Sequence, residues 1–180
     1  MDGPERATQS GAARRRRFGP APMSLVSLSL LTMSPVDATT VTNTFTVQAI
    51  INASCNVSAT TLNFGSYDPA SGSALSGAST VNVFCTSGTP YTTSLNVGTG
   101  GGSFTTRTVA SGGSTLNYNL YRDAAHSQVW GDGTGSTFTV SGTGSGVLTA
   151  NPLTVYGEMP TGQDKPPGTY TSIITVTVTY

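Results

Sequence analysis

The sequence predicts an all-β protein, a sandwich or barrel of short strands. Three observations predict it. From residue 39 on, apolar and polar residues alternate in one short run after another, the period of two of a strand with one buried face. Between the runs lie GTGGGS (98–103), SGGS (111–114), GDGTGS (131–136) and SGTGSG (141–146), compositions that do not persist in strand or helix interiors. No 3.6-residue apolar period appears after residue 39, and Ser and Thr make up about 30% of the chain, a mix that favours strands and turns.

The first 38 residues read as a leader. RRRRF (14–18) supplies a positive region, MSLVSLSLLTM (23–33) a short apolar one, and Val36-Asp37-Ala38 a small-residue cleavage site, so the mature chain is expected to start near Thr39. The alternative is a disordered tail. No stretch is apolar enough to span a bilayer, which takes about 20 residues.

The run TTVTNTFTVQAIINASC (39–55) comes next. It is more than twice the typical strand length of about 5–6 residues, and no turn residue interrupts it. Behind an export signal, Cys55 and Cys85 read as one disulfide; without export they read as two buried thiols. The remaining expected strands are STVNVFC (79–85), YTTSLNV (91–97), STLNYNLYR (114–122), STFTVS (136–141), NPLTVYGEM (151–159) and GTYTSIITVTVTY (168–180). The last places Ile174, Val176, Val178 and Tyr180 on one face and Thr175, Thr177 and Thr179 on the other. It is β-branched and has no Lys or Pro to guard an edge, which invites pairing. An immunoglobulin-like sandwich closes with a further strand beside this one, and no sequence remains to form it. The front of the chain has one strand too many and the back one too few.

Charge is sparse, at 9% of residues against roughly 25% in ordinary globular proteins. Five of the eight basic residues lie in the first 17 positions. The remainder of the chain has no basic patch, which argues against nucleic-acid binding. Nothing reads as catalytic. The one histidine, His126, is expected to be a solvated turn residue. Asp132 in GDGTG fits turn chemistry better than a cation loop, since the repeated Asp/Asn pattern ending in Glu is absent. GTGGGS is not followed by a helix or by Lys-Ser/Thr, so it is not a phosphate loop. Asn52-Ala-Ser54 and Asn56-Val-Ser58 match a glycosylation pattern and read as chance. The expectation is a non-enzyme without cofactor or metal.

Four motifs carry a resemblance: YNLYRDAAHSQVWGDGTG (118–135), TLNFGSYDP (61–69), ASCNVS around Cys55, and the closing VYGEMPTGQDKPPGTYTSIITVTVTY. Together they resemble the spore coat protein U domain family, which includes subunits of archaic (Csu-type) chaperone–usher pili. Two positions depart from its pattern. His126 stands where Arg is common, and Ser172 where Asp often follows Gly-x-Tyr; both are expected to be surface substitutions.

The resemblance implies an incomplete immunoglobulin-like β-sandwich lacking its last strand and completed by donor-strand exchange. It implies a leader at 1–38, a donor strand at 39–49 and a sandwich domain at 50–180. The donor would point Val41, Phe45, Val47 and Ala49 inward, with Asn43 interrupting the series, and the chain's own first strand would run from about Ile50 through Val57. The receiving edge would include Ile174, Val176, Val178 and Tyr180. The implied partners are like subunits head-to-tail, a periplasmic chaperone and an outer-membrane usher, in a fibre on the cell surface that supports adhesion or biofilm formation. The competing readings are a self-contained secreted sandwich that binds sugars or other ligands, and a spore or cell coat protein.

Overall fold

The computed structural model describes residues 35–180, so most of the expected leader lies outside the described residues. The chain divides between Val47 and Gln48 into two units. In the first, residues 35–47 hold no strand and every one is exposed. The second, Gln48–Tyr180, carries eight strands and no helix.

The strands are β1 (Cys55–Ala59), β2 (Leu75–Cys85), β3 (Pro90–Leu95), β4 (Arg107–Ser111), β5 (Ser114–Tyr121), β6 (Val140–Thr143), β7 (Asn151–Met159) and β8 (Val176–Thr179). They form two antiparallel sheets, ordered β1-β2-β7-β5-β4 and β6-β3-β8. Alternation along the strands decides what goes inside. Val81, Val83 and Cys85 of β2, Leu116, Tyr118 and Leu120 of β5, and Val155 and Met159 of β7 meet Tyr91 and Leu95 of β3 in one core, with Trp130 buried among them. Each large apolar side chain removed from water contributes about 1.5–3 kcal/mol. A disulfide joins Cys55 to Cys85, directly opposite each other in the β1–β2 register. In the chain-entropy model, closing a loop of this length stabilises the fold by about 3–4 kcal/mol.

Several expected boundaries are corrected. The chain's first strand begins at Cys55 rather than Ile50, and residues 50–54 are exposed and outside any strand. The run at 136–141 holds a bridge at Phe138 and becomes strand only at Val140; the strand is Val140–Thr143, running into a stretch read as a loop. Gly142 is the reason. A Cβ there would sit 2.5 Å from the Tyr91 hydroxyl oxygen, so glycine takes the place of an apolar inward residue. The run at 168–180 is a strand only at 176–179, although its earlier residues also pair.

Strand β4 has no counterpart among the expected elements. Its first inward residue is Arg107, which is fully buried. The guanidinium donates from Nε to the Asn96 carbonyl at 3.1 Å, from Nη1 to Asn119 Oδ1 at 2.7 Å and from Nη2 to the Trp130 carbonyl at 2.7 Å. It also lies 5.4 Å from the Phe104 ring centroid, a cation–π distance. Burial pulls its pKa below the ordinary arginine value. One group therefore fixes the end of β3, β5 and the buried Trp130.

Removing the guanidinium strips three acceptors of their donor, at about 1–3 kcal/mol for each one buried. Arg107→Ala is expected to lose about 3 kcal/mol or more in urea unfolding. Arg107→Lys is expected to recover little of this, since a point ammonium lacks the planar fork that reaches three separate oxygens.

Candidate functional site: an open seam in the sandwich

Residues 171–179 run extended, bordered on one side only. Thr171 exchanges main-chain hydrogen bonds with Ala110 of β4 at 2.9 and 3.1 Å. The Ile173 carbonyl accepts from the Thr99 amide and its own amide donates to Thr99 Oγ1. The Thr175 carbonyl accepts from the Asn96 amide, and its amide donates to Asn96 Oδ1. Beyond it, Thr177 and Thr179 stand opposite Ser94 and Thr92 of β3. Odd-numbered residues thus turn their amides and carbonyls toward β3 and β4.

Antiparallel pairing alternates, so the even-numbered residues turn theirs the other way. Ile174, Val176 and Val178 face an edge where no strand is paired among the described residues. The same three residues point their side chains at the core and pack against it, yet remain only half-buried. Tyr180, expected among them, is 60% exposed.

The facing wall has the same character. β1 is the free edge of the five-stranded sheet and lies near β8 without pairing to it. Its inward Cys55 and Val57 are half-buried, as are Leu62 and Phe64 just beyond. By contrast, their neighbours Val81, Val83, Tyr91 and Leu95 are fully covered. Half-buried apolar side chains thus line both edges that face the gap between β1 and β8. Sequence reading found the β8 wall through its alternation and left Leu62 and Phe64 unassigned, although TLNF carries the same alternation.

The expected donor residues are exposed. Val41 is 94%, Phe45 88% and Val47 83% accessible, and Ala49 is exposed as well. No described residue of this arm lies in a strand. Val41, Phe45, Val47 and Ala49 are separated by Thr42, Asn43, Thr44, Thr46 and Gln48, so apolar and polar side chains alternate along an exposed segment.

The loop motif after β5 is held by its own carboxylates. Asp123 accepts from the Ser127 amide and hydroxyl and the Gln128 amide. Asp132 accepts from the amide and hydroxyl of Thr134. These bonds hold both carboxyls below the usual aspartate range. Asp132 does turn chemistry, and no group of three or more His, Cys, Asp or Glu capable of holding a metal occurs among the described residues. Trp130, carried between the two aspartates, is fully buried and donates from Nε1 to the Thr93 carbonyl at 3.1 Å.

Both departures from the family pattern are half-buried and make contacts of their own. His126 does sit at a turn, its amide donating to the Asp123 carbonyl, but it is half-buried rather than solvated: its Nδ1 lies 2.8 Å from Glu158 Oε2, with the ring beside Tyr121. The Ser172 hydroxyl accepts from the Gly100 amide at 3.0 Å.

A family model described as the Spore Coat Protein U domain matches residues 41–177. The chain belongs to the spore coat protein U domain family. It is 32% identical over 168 residues to Protein U of Myxococcus xanthus, covering 84% of this chain and 92% of that protein. A crystal structure titled as the CsuC–CsuE chaperone–tip adhesion subunit pre-assembly complex from archaic chaperone–usher Csu pili of Acinetobacter baumannii shares the fold. The TM-score is 0.52 at 21% identity, over 72% of this chain and 40% of that one. The spore coat protein U match begins at Val41, inside the exposed arm, and runs into β8. Arm, seam and sandwich therefore fall within one family pattern.

The pairing parity has a direct readout in amide hydrogen exchange on monomeric protein. Val176 and Val178 are expected to exchange rapidly and Thr177 between them slowly. Equal protection at all three would place a strand on the open edge.

Proposed function

We propose that this protein is a structural subunit of an exported surface fibre, joined to its neighbours by donor-strand complementation. The observation that carries the reading is the pairing of deficits. The seam lacks one strand's worth of inward side chains and main-chain partners, and the arm at 39–49 has one strand's worth of both to give. Membership in the spore coat protein U family supports it, as does the fold shared with the chaperone–tip adhesion subunit complex of archaic chaperone–usher Csu pili.

In this reading Val41, Phe45, Val47 and Ala49 enter the seam of the next subunit, where they cover Val57, Leu62 and Phe64 on one wall and Ile174, Val176 and Val178 on the other. Each large side chain so buried contributes about 1.5–3 kcal/mol. The arm's amides and carbonyls meet those of the even-numbered residues of β8, which removes the cost of an unpaired edge. Strand addition of this kind is how chaperone–pilin pairs bind in general. Donor and acceptor surfaces differ, so each contact leaves a free arm and a free seam, and the assembly grows head-to-tail without closing.

A periplasmic chaperone would occupy the seam before the neighbouring arm does, and an outer-membrane usher would pass the subunits outward. The leader at 1–38 would direct export and be removed. The role is structural rather than catalytic, in a fibre that supports adhesion or biofilm formation. Among the described residues no helix is long and apolar enough to cross a membrane.

Two experiments test this. Residues 50–180 alone are expected to aggregate or melt weakly. The same residues with 39–49 appended after Tyr180 through a short flexible linker are expected to form a far more stable monomer. Similar melting of the two would overturn the donor-strand account and favour a self-contained ligand-binding sandwich. Phe45→Asp is expected to abolish fibres while leaving the subunit–chaperone complex intact; fibres assembled from that variant would remove the arm from the mechanism.

A further inference from the structure

The outer face of the three-stranded sheet is built of hydroxyl side chains. Tyr91, Thr93 and Leu95 of β3 point inward and are buried, so Thr92 and Ser94 point outward. Val176 and Val178 of β8 face the core, so Thr177 and Thr179 are outside. On β6, Ser141 and Thr143 are exposed. Register sets Thr179, Thr92 and Ser141 in one row across the sheet and Thr177 beside Ser94 in the next. The result is a grid of six hydroxyls without a charged side chain among them. Arg122 reaches its rim, donating to the Thr139 carbonyl at 2.8 Å and lying 4.6 Å from the Phe138 ring centroid. The five-stranded sheet presents a mixed surface instead, with Glu158 against His126 beside Tyr156.

A shallow cleft of about 420 Å³ opens at one end of the grid, where Thr92, Ser141 and Thr179 meet Tyr91 and Tyr180. Thr92 Oγ1 and Ser141 Oγ are 3.1 Å apart, one hydrogen bond in which either can donate. Each hydroxyl has two acceptor lone pairs besides its proton, so both keep capacity for a ligand.

We propose that this face binds an uncharged polysaccharide. Sugar hydroxyls need what the grid supplies, groups that donate and accept at once. Charge matching selects among polymers. A polyanion or polycation laid here would give up hydration of its charges without gaining a counter-charge, which is costly, whereas a neutral glycan loses nothing of that kind. Size argues against a protein partner. Strand spacing and rise make the grid roughly 10 Å by 13 Å, far below the ~800 Å² per partner of a stable protein complex. A long polymer overcomes a weak single patch by touching many copies, since linked contacts multiply. The proposal needs only the described sheet and does not rest on the fibre reading. In a fibre, the arm's Thr42, Thr44 and Thr46 would add a fourth column.

The test uses the full oxidised chain on four resins: dextran and cellulose as neutral glucans, alginate as a polyanion and chitosan as a polycation. Retention on at least one neutral glucan is expected to exceed that on both charged polymers at least tenfold. The variant Thr92→Val/Thr177→Val/Thr179→Val keeps β-branched side chains and is expected to melt as the parent does while losing tenfold or more of that retention. Thr154→Val, on the outer face of the other sheet, is expected to bind unchanged. No retention on either glucan, equal retention on alginate or chitosan, or full retention by the triple variant would each overturn the assignment. If the triple variant melts lower than the parent, Thr177→Val alone, compared with Thr154→Val at matched stability, decides the matter by the same criterion.

Discussion

A buried guanidinium stands behind one of the contacts that dock the last strand of this sandwich. Arg107 holds the carbonyl of Asn96, and Asn96 in turn holds Thr175 through its amide and side-chain oxygen. One of the anchors of residues 171–179 is thus tied to a core cation, beside those at Ala110, Thr99 and β3. Carbonyl and amide oxygens satisfy that cation without any carboxylate hydrogen-bonded to it. Such an arrangement has value only as geometry. Its Coulombic return is small against the cost of desolvating the charge, whereas three fixed acceptors at known angles define how loop, sheet and tryptophan meet.

Much of the fold was legible because its strands obey simple alternation. NPLTVYGEM, read as a strand at 151–159, is β7 to the residue, and the parity of Ile174, Val176 and Val178 follows from the sequence alone. Legibility failed where an inward position is not apolar. Arg107 opens β4 and Gly142 sits inside β6, and neither looks like a core residue until its neighbours are known. It failed again where pairing is distant in the chain. His126 finds Glu158 32 residues away, and Ser172 finds Gly100 72 residues away; no local pattern encodes either. The seam was half visible: alternation shows which side chains point inward, but not how completely they are covered.

Half-covered side chains on two neighbouring edges leave the sandwich in an unusual energetic position. Its central core is dense enough to fold and is tied by a disulfide, yet one flank keeps unpaired amides beside apolar groups. Natural sheets guard such edges with charge, proline or bulges. None guards β8, whose sequence is VTVT. An edge left this way is sticky toward any extended chain, so cells that make such a protein need to keep it covered from the moment it folds.

The chemistry of arm and edge has one more consequence. Residues 41–49 contain no ionisable side chain, and in 171–180 the phenol of Tyr180 is the sole one. Attraction between two such segments comes from burying apolar surface and from main-chain hydrogen bonds. Dissolved ions screen neither, and salts excluded from protein surfaces strengthen the first. A joint of this composition would not loosen as salt rises.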